Sequence, residues 1–389
     1  MKLKPEHHFK TREVHAGVSP DPVTGAILTP IYQATTYVQE SVDDYMAKGY
    51  SYSRSGNPTV VALENRITAL EGGAGTACFA TGMAATSAIM MAILNSGEHA
   101  VLSDVVYGGT HRLSTRVLSR FGVEFSFVDT SKPQNVRDAI RNNTRLIFTE
   151  TPANPTLKLT DISAISEIAR EHGIPHCVDN TFLTPYLQRP LELGADLSMH
   201  STTKYIDGHN VTVGGSVTAA IPEHLEQIQF VRNCLGSNMS PMVAFFTLQG
   251  CKTLSTRLEA QSASAIKIAH FLQSQPMAER VVYPGLDSFP QKDLATRQAS
   301  GFGAMLWFEV RGGVASGKKL IDALELWSLA ENLGSVESLV THSVTMTHAD
   351  MDPADRQRVG ISDGLVRLSV GLEDPEDLIA DLRQALDSL

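Results

Sequence analysis

From about residue 60 to residue 220, short β-rich runs alternate with helical ones, and this alternation limits the fold more than any other feature of the chain. The strand candidates are Thr76–Ala80, Ala100–Ser103, Glu124–Val128, Arg145–Thr149, His176–Asp179, Asp196–His200 and Gly215–Ala219. One helical stretch between them runs from His111 to Arg120 and stops at Gly122. Another runs from Asp161 to His172 and stops at Gly173. Strands joined through helices run parallel, because the chain must cross back over the sheet before the next strand begins. The expectation is an α/β fold with a mainly parallel sheet and helices on both faces. Ligands of such sheets bind beyond the carboxyl ends of the strands.

The rest of the chain reads differently. From about residue 245 a long helical segment leads to a second, smaller α/β unit with strands at Met305–Val310 and Val366–Val370. Residues 1–60 are rich in Pro, Gly and Tyr and carry little periodicity. The expected layout is an arm over 1–60, a main domain over 61–245 and a C-terminal domain over 246–389.

Composition excludes several classes. A net charge of −10 argues against nucleic acid or an anionic membrane as partner. No run of roughly 18 apolar residues suggests a membrane span, and Met1–His8 has no apolar signal core. A cytoplasmic protein is the expectation. Cys78, Cys177, Cys234 and Cys251 form no C-x-x-C pair, and the histidines show no H-E-x-x-H spacing. Neither a metal site nor a dithiol is expected. Gly73-Ala74-Gly75 precedes a strand, whereas a dinucleotide fingerprint follows one.

Two residues fall where chemistry belongs. Lys204, in Ser201–His209, follows the strand candidate Asp196–His200, and Asp179 closes His176–Asp179. Pyridoxal phosphate needs a lysine for its aldehyde carbon and an acid to keep its ring nitrogen protonated. A lone lysine after a strand is ordinarily a solvated surface residue; the pairing with Asp179 and the adjacent Ser and Thr hydroxyls turns that reading. Thr81-Gly82-Met83-Ala84-Ala85 follows a strand and opens a helix reaching about Leu94. It is either an anion site at a helix N-terminus or a plain tight turn. Tyr107 can stack on a flat ring and act as acid or base, or simply pack. Asn154 offers an amide to a phenolic oxygen, or is a turn residue between prolines.

Jointly, the motifs resemble the Cys/Met-metabolism pyridoxal-phosphate enzymes: cystathionine γ-synthase, cystathionine γ-lyase, methionine γ-lyase and their relatives. The resemblance runs from about His15 to the C-terminus. It is carried by Tyr52–Thr59, Thr81–Ala85, Val106–Thr110, Thr151–Pro155, Val178–Phe182, His200–Tyr205, Met346-Thr347-His348-Ala349 and Leu365–Gly371. It implies an aspartate-aminotransferase-like fold of type I. It further implies that Lys204 carries the cofactor, Asp179 pairs with its ring nitrogen, Tyr107 stacks on the ring and serves as an acid, and Asn154 meets its phenolic oxygen. Gly82, Met83, Ser201 and Thr203 then hold the phosphate. Tyr52 and Arg54 hold that phosphate from a neighbouring subunit, in a homotetramer built of two catalytic dimers. Arg367 binds the substrate carboxylate, and Glu331 faces the distal end of the substrate.

The implied reaction is γ-elimination or γ-replacement on homoserine-derived sulfur amino acids, of the cystathionine γ-synthase or γ-lyase type. O-acylhomoserine sulfhydrylase, methionine γ-lyase and cystathionine β-lyase are the alternatives. A non-catalytic binding protein of the same fold is disfavoured, because Lys204, Asp179, Tyr107 and Arg367 are all intact. Gly109 stands where methionine γ-lyases carry cysteine, and Glu331 is an acid that those lyases lack. Two departures from the family pattern stand out. Asn332 follows Glu331 where a serine that helps hold the carboxylate is usual, and Asn332 keeps an amide able to donate. The lysine loop reads Gly208-His209-Asn210-Val211, without the common Ser-Asp after the histidine.

Overall fold

The computed structural model describes residues 3–4, 6–347, 349 and 351–389. Met1, Lys2 and Pro5 of the N-terminal segment and His348 of the Met346–Ala349 motif lie outside the described residues.

The main sheet has seven strands: β1 (Gly75–Phe79), β2 (His99–Ser103), β3 (Glu124–Val128), β4 (Thr144–Glu150), β5 (His176–Asp179), β6 (Leu197–His200) and β7 (Gly215–Ala219). Their spatial order is β1-β7-β6-β5-β4-β2-β3. The five strands from β6 to β3 pair in parallel. Only β7 runs against its neighbours β1 and β6. Helices cover both faces, so the strands read as near-continuous apolar and small runs. Leu102, Phe148, Leu197 and Val217 point to one face with Ile89. Val101 and Ile147 point to the other with Ile165 and Ala169.

The first three helices are α1 (Phe9–His15), α2 (Pro58–Glu71) and α3 (Gly82–Ile93), of which α3 lines the cleft described below. Asn57 caps α2 by accepting from the Thr59 N–H, with Pro58 in the first turn. Thr81 caps α3 in the same manner, its hydroxyl accepting from the Ala84 N–H at 2.9 Å. The helix expected over Asp161–His172 forms at Ile162–Glu171, with Asp161 as its cap. The one expected over His111–Arg120 does not form as a single α-helix. It changes winding from α-helical at Gly108–Arg112 to a π turn at Leu113–Val117 and a 3₁₀ turn at Leu118–Phe121, before Gly122 ends it at φ 82°.

A second sheet contains β8 (Ala278–Val282), β9 (Met305–Val310), β10 (Ser328–Leu329), β11 (Leu339–His342) and β12 (Leu365–Ser369), in the order β10-β11-β12-β9-β8. It is antiparallel apart from the β10–β11 pair. Helices Leu254–Gln273 and Pro375–Asp387 pack beside it, and Leu258, Trp307, Leu368 and Leu382 belong to its core. Among the described residues no helix is long and apolar enough to cross a membrane, and no group of His, Cys, Asp and Glu could hold a metal ion.

Candidate active site

A cleft of about 480 Å³ opens at the carboxyl ends of β4, β5 and β6, where loops of the second sheet close over the first. The β4–β5 register sets Glu150 opposite Asp179, so two carboxylates end adjacent parallel strands. Oδ1 of Asp179 accepts from the Thr181 N–H (3.1 Å) and the Thr181 hydroxyl (2.5 Å). Oδ2 receives no hydrogen bond from the described residues, which leaves it for a cationic N–H. Burial raises the Asp179 pKa, while the Thr181 bonds and the charge of His200 oppose that rise.

Glu150 has a different task. Its Oε2 accepts from the Tyr107 N–H at 2.7 Å and its Oε1 from the Asn154 N–H at 2.9 Å. One carboxyl group thereby fastens the loop after β2 to the loop after β4. Burial, then the charge of Asp179, pushes its pKa well above the carboxylate range. Nothing in the sequence singles out Glu150, since a glutamate closing a strand looks like any solvated acid.

Lys204 lies in the turn after β6, half-buried, and its Nζ donates to Oδ1 of Asn332. Burial, then the Arg367 charge, lowers its pKa to about 8, with Glu331 opposing. Arg367, in the middle of β12, is 4% exposed. It donates through Nη1 to Asn154 Oδ1 (2.8 Å) and through Nη2 to the Asn332 carbonyl (3.0 Å). Its buried Nε has no partner among the described residues. Burial lowers its pKa to about 10, which leaves it charged at neutral pH. A guanidinium has no acceptor, so Asn154 must present its oxygen to Arg367 and its amide N–H groups elsewhere.

At the start of α3 the first-turn N–H groups of Gly82 and Met83 have no helical acceptor. A Cβ on Gly82 would lie 2.9 Å from Cβ of Ser201, so only glycine lets the helix start and the Ser201 turn close into one cradle. Thr203 lines the cleft too, but its hydroxyl donates to the Gly214 carbonyl (3.2 Å) and accepts from the Gly214 N–H (3.0 Å). Tyr107 is 49% exposed and lines the cleft. A Cβ at Gly109 would come within 2.6 Å of Cε1 of the Tyr107 ring and 2.7 Å of Met83 Sδ. Glu331 is exposed on the cleft wall, with no hydrogen bond or ion pair to any described residue.

Two expected site residues are elsewhere. Tyr52 and Arg54 do not line the cleft of their own chain. Arg54 lies 5.6 Å from the Tyr52 ring and donates to the Asn233 carbonyl (2.7 Å) and side-chain oxygen (2.9 Å). Asn332 is in the cleft, but its amide donates to Asn210 Oδ1 at 2.5 Å. One of its two N–H groups is thus spent inside the protein.

A lysine, an acid with a free oxygen, an amide and a helix-start cradle fit the aldehyde, ring nitrogen, phenolic oxygen and phosphate of pyridoxal phosphate. Set at the carboxyl ends of this sheet, they define a pyridoxal-phosphate enzyme of fold type I. The family model for Cys/Met metabolism PLP-dependent enzymes matches residues 10–387, and the chain belongs to that family. It is 46% identical over 380 residues to cystathionine gamma-lyase of Bacillus subtilis, covering 98% of this chain and 99% of that one. It is 43% identical over 392 residues to L-methionine gamma-lyase of Treponema denticola, covering 98% and 97%. The crystal structure of cystathionine gamma-lyase from Lactobacillus plantarum complexed with L-serine superposes with a TM-score of 0.95, at 40% identity, covering 98% of this chain and 99% of that one. The chain is therefore a pyridoxal-phosphate-dependent enzyme of sulfur amino-acid metabolism with carbon–sulfur lyase chemistry, and its substrate is an amino acid.

Proposed function

We propose that the enzyme cleaves the Cγ–S bond of cystathionine in preference to that of methionine. The observation that carries this reading is Glu331, an unpartnered carboxylate on the cleft wall, close enough to Lys204 and Arg367 to act on the charge of both. Cystathionine brings a distal ammonium to such an acid, whereas methionine brings a methyl group. Gly109 supports the same branch, because the Tyr107 ring occupies the space a cysteine side chain would need.

Bound at this site, pyridoxal phosphate supplies an electron sink for charge that develops at the substrate Cα. Lys204 holds the cofactor and, once its amine is free, takes the Cα proton at Nζ. Asp179 keeps the ring nitrogen protonated through Oδ2. The N–H groups of Gly82 and Met83 bind the phosphate with Ser201, and Thr203 joins them if it releases Gly214. Asn154 donates to the phenolic oxygen, and Arg367 binds the substrate carboxylate. Tyr107 stacks on the ring and protonates the departing sulfur. γ-Replacement by a thiol uses the same residues.

The reading extends to the assembly. The arm over 1–60 brings Tyr52 and Arg54 to a neighbouring subunit's phosphate, beside a cofactor-binding domain over 61–245 and a C-terminal domain over 246–389. Two catalytic dimers form a homotetramer in the cytoplasm.

Turnover of cystathionine, of methionine, and of O-succinylhomoserine with cysteine tests the substrate reading. An acceptor left unpaired in a closed site costs on the order of 1–3 kcal/mol, roughly tenfold to a hundredfold in rate. Cystathionine should exceed methionine by such a factor, and Glu331→Val should narrow the gap mainly by slowing cystathionine. Methionine as the best substrate, or an unchanged preference in the variant, overturns it.

A further inference from the structure

The two departures from the family pattern meet in space. Asn332 and Asn210, separated by 122 residues, join Lys204 to Glu337 through three hydrogen bonds. Lys204 Nζ donates to Asn332 Oδ1, Asn332 Nδ2 donates to Asn210 Oδ1 (2.5 Å), and Asn210 Nδ2 donates to Glu337 Oε2 (2.8 Å). Chemistry at the two ends fixes the direction of the chain. An ammonium only donates and a carboxylate only accepts, so both amides must be oriented as they are. The backbone suits this arrangement. Asn210 adopts φ 55°, a left-handed conformation that asparagine tolerates better than most residues. Asp207 braces the loop by accepting from the N–H groups of His209 and Val211 (3.2 Å each) and the Thr212 hydroxyl (2.8 Å). The Val336 N–H donates to the Gly208 carbonyl at 2.9 Å, which ties this loop to the one carrying Asn332 and Glu337.

We infer that Asn210 is a positioning residue, which acts through Asn332 to hold the free amine of Lys204 where it exchanges a proton with the substrate Cα. Asn210 does not line the cleft. It sets the rotamer of Asn332, and Asn332 presents a fixed acceptor to the amine. Without Asn210 the Asn332 amide is free to turn, and the amine loses its berth. Arg367 and Glu331 are the charged groups that also act on Lys204. Neither is hydrogen-bonded to the amine, so among the described residues it is Asn332 that supplies direction.

The inference rests on Lys204 as the proton acceptor, not on which sulfur amino acid is cleaved. Its test therefore uses L-alanine, which has no Cγ to lose and does not reach Glu331. Exchange of the alanine Cα hydrogen in D₂O, followed by proton NMR on the holoenzyme, reports the proton transfer alone. Asn210→Gly removes the amide without straining the left-handed backbone. It should slow exchange roughly three- to tenfold, the usual worth of one hydrogen bond, with alanine affinity and visible cofactor absorbance unchanged. Asn210→Asp should slow exchange as well, because two carboxylates then face each other. Adding Glu337→Gln restores an acceptor at 210 and a donor at 337, and exchange should recover. Wild-type exchange in Asn210→Gly, or no recovery in the Asn210→Asp/Glu337→Gln pair, overturns the inference.

Discussion

At the residue scale, the site sets its lysine between two opposing influences. Burial and Arg367 disfavour the ammonium of Lys204, Glu331 favours it, and the balance lies at about 8 rather than near 10.5. A lysine that must take a proton is useful only when deprotonated, so activity should rise with pH through that value. Exchange of the alanine Cα hydrogen should increase about tenfold per pH unit below the midpoint and level off above it. Glu331→Val removes the charge that favours the ammonium, so its midpoint should move to lower pH. A profile still rising at pH 10, or a midpoint that moves upward in the variant, would show that the amine is not tuned in this way. Lys204, Asp179, Tyr107, Asn154 and Arg367 were legible in the sequence because each stands at a strand end or in a motif with its neighbours. All five line one cleft. Glu150 was not legible, because its work is done on backbone N–H groups that no spacing rule reveals. The Asn210–Asn332 contact was equally hidden, since it joins two loops distant in sequence.

At the element scale, the strands that matched expectation are mostly buried, β5 and β7 throughout, whereas β3 is only partly covered. β3, β5, β7 and β9 have the limits their apolar runs suggest. β8, β10 and β11 were not anticipated. β8 exposes Glu279 and Arg280, β10 has only two residues, and β11 mixes Thr and His with apolar residues, so none alternates clearly. The 111–120 segment departed from a single α-helix because propensity does not report a change of winding. The arm also held more than its composition suggested, namely α1 and its anchor. Arg66 of α2 is fully buried and donates to the carbonyls of Ala16 (2.9 Å), Leu248 (3.0 Å) and Val14 (3.0 Å). Glu13 adds a second tie by accepting from the N–H of Ser255 at 3.0 Å and from its hydroxyl at 2.5 Å. Arg66→Met keeps the length of the side chain and strands three acceptors. Each buried group left unpaired costs on the order of 1–3 kcal/mol, so a loss of about 3 kcal/mol or more is expected in denaturant titration. Proteolysis should reach the α1 region first. A variant as stable and as resistant as the parent would mean that α1 is held by other contacts.

At the scale of the whole molecule, the proposed assembly has one chain's site completed by its neighbour. The cleft holds Lys204, Asp179 and Arg367, while Tyr52 and Arg54 stand outside it. The arm that carries them exposes apolar side chains, with Val23 at 89%, Val38 at 90% and Val42 at 92% exposure, as a segment does when another surface is meant to cover it. If Arg54 serves the neighbouring cleft, sites in a two-fold dimer are built from Lys204 of one chain and Arg54 of the other. Arg54→Ala should then weaken cofactor retention, although the residue lies 150 positions from Lys204. Mixing Arg54→Ala chains with Lys204→Ala chains gives the decisive comparison. Each variant alone should be nearly inactive. In a mixed dimer one site inherits both substitutions and the other inherits neither. Random reassortment at equal amounts makes half the dimers mixed, so about a quarter of the parent activity should return. Two affinity tags, one on each variant, isolate the mixed oligomers, where recovery should rise to roughly two-sevenths for a randomly assembled tetramer of two catalytic dimers. Activity that stays absent in tagged mixed oligomers would place Arg54 in the service of its own chain.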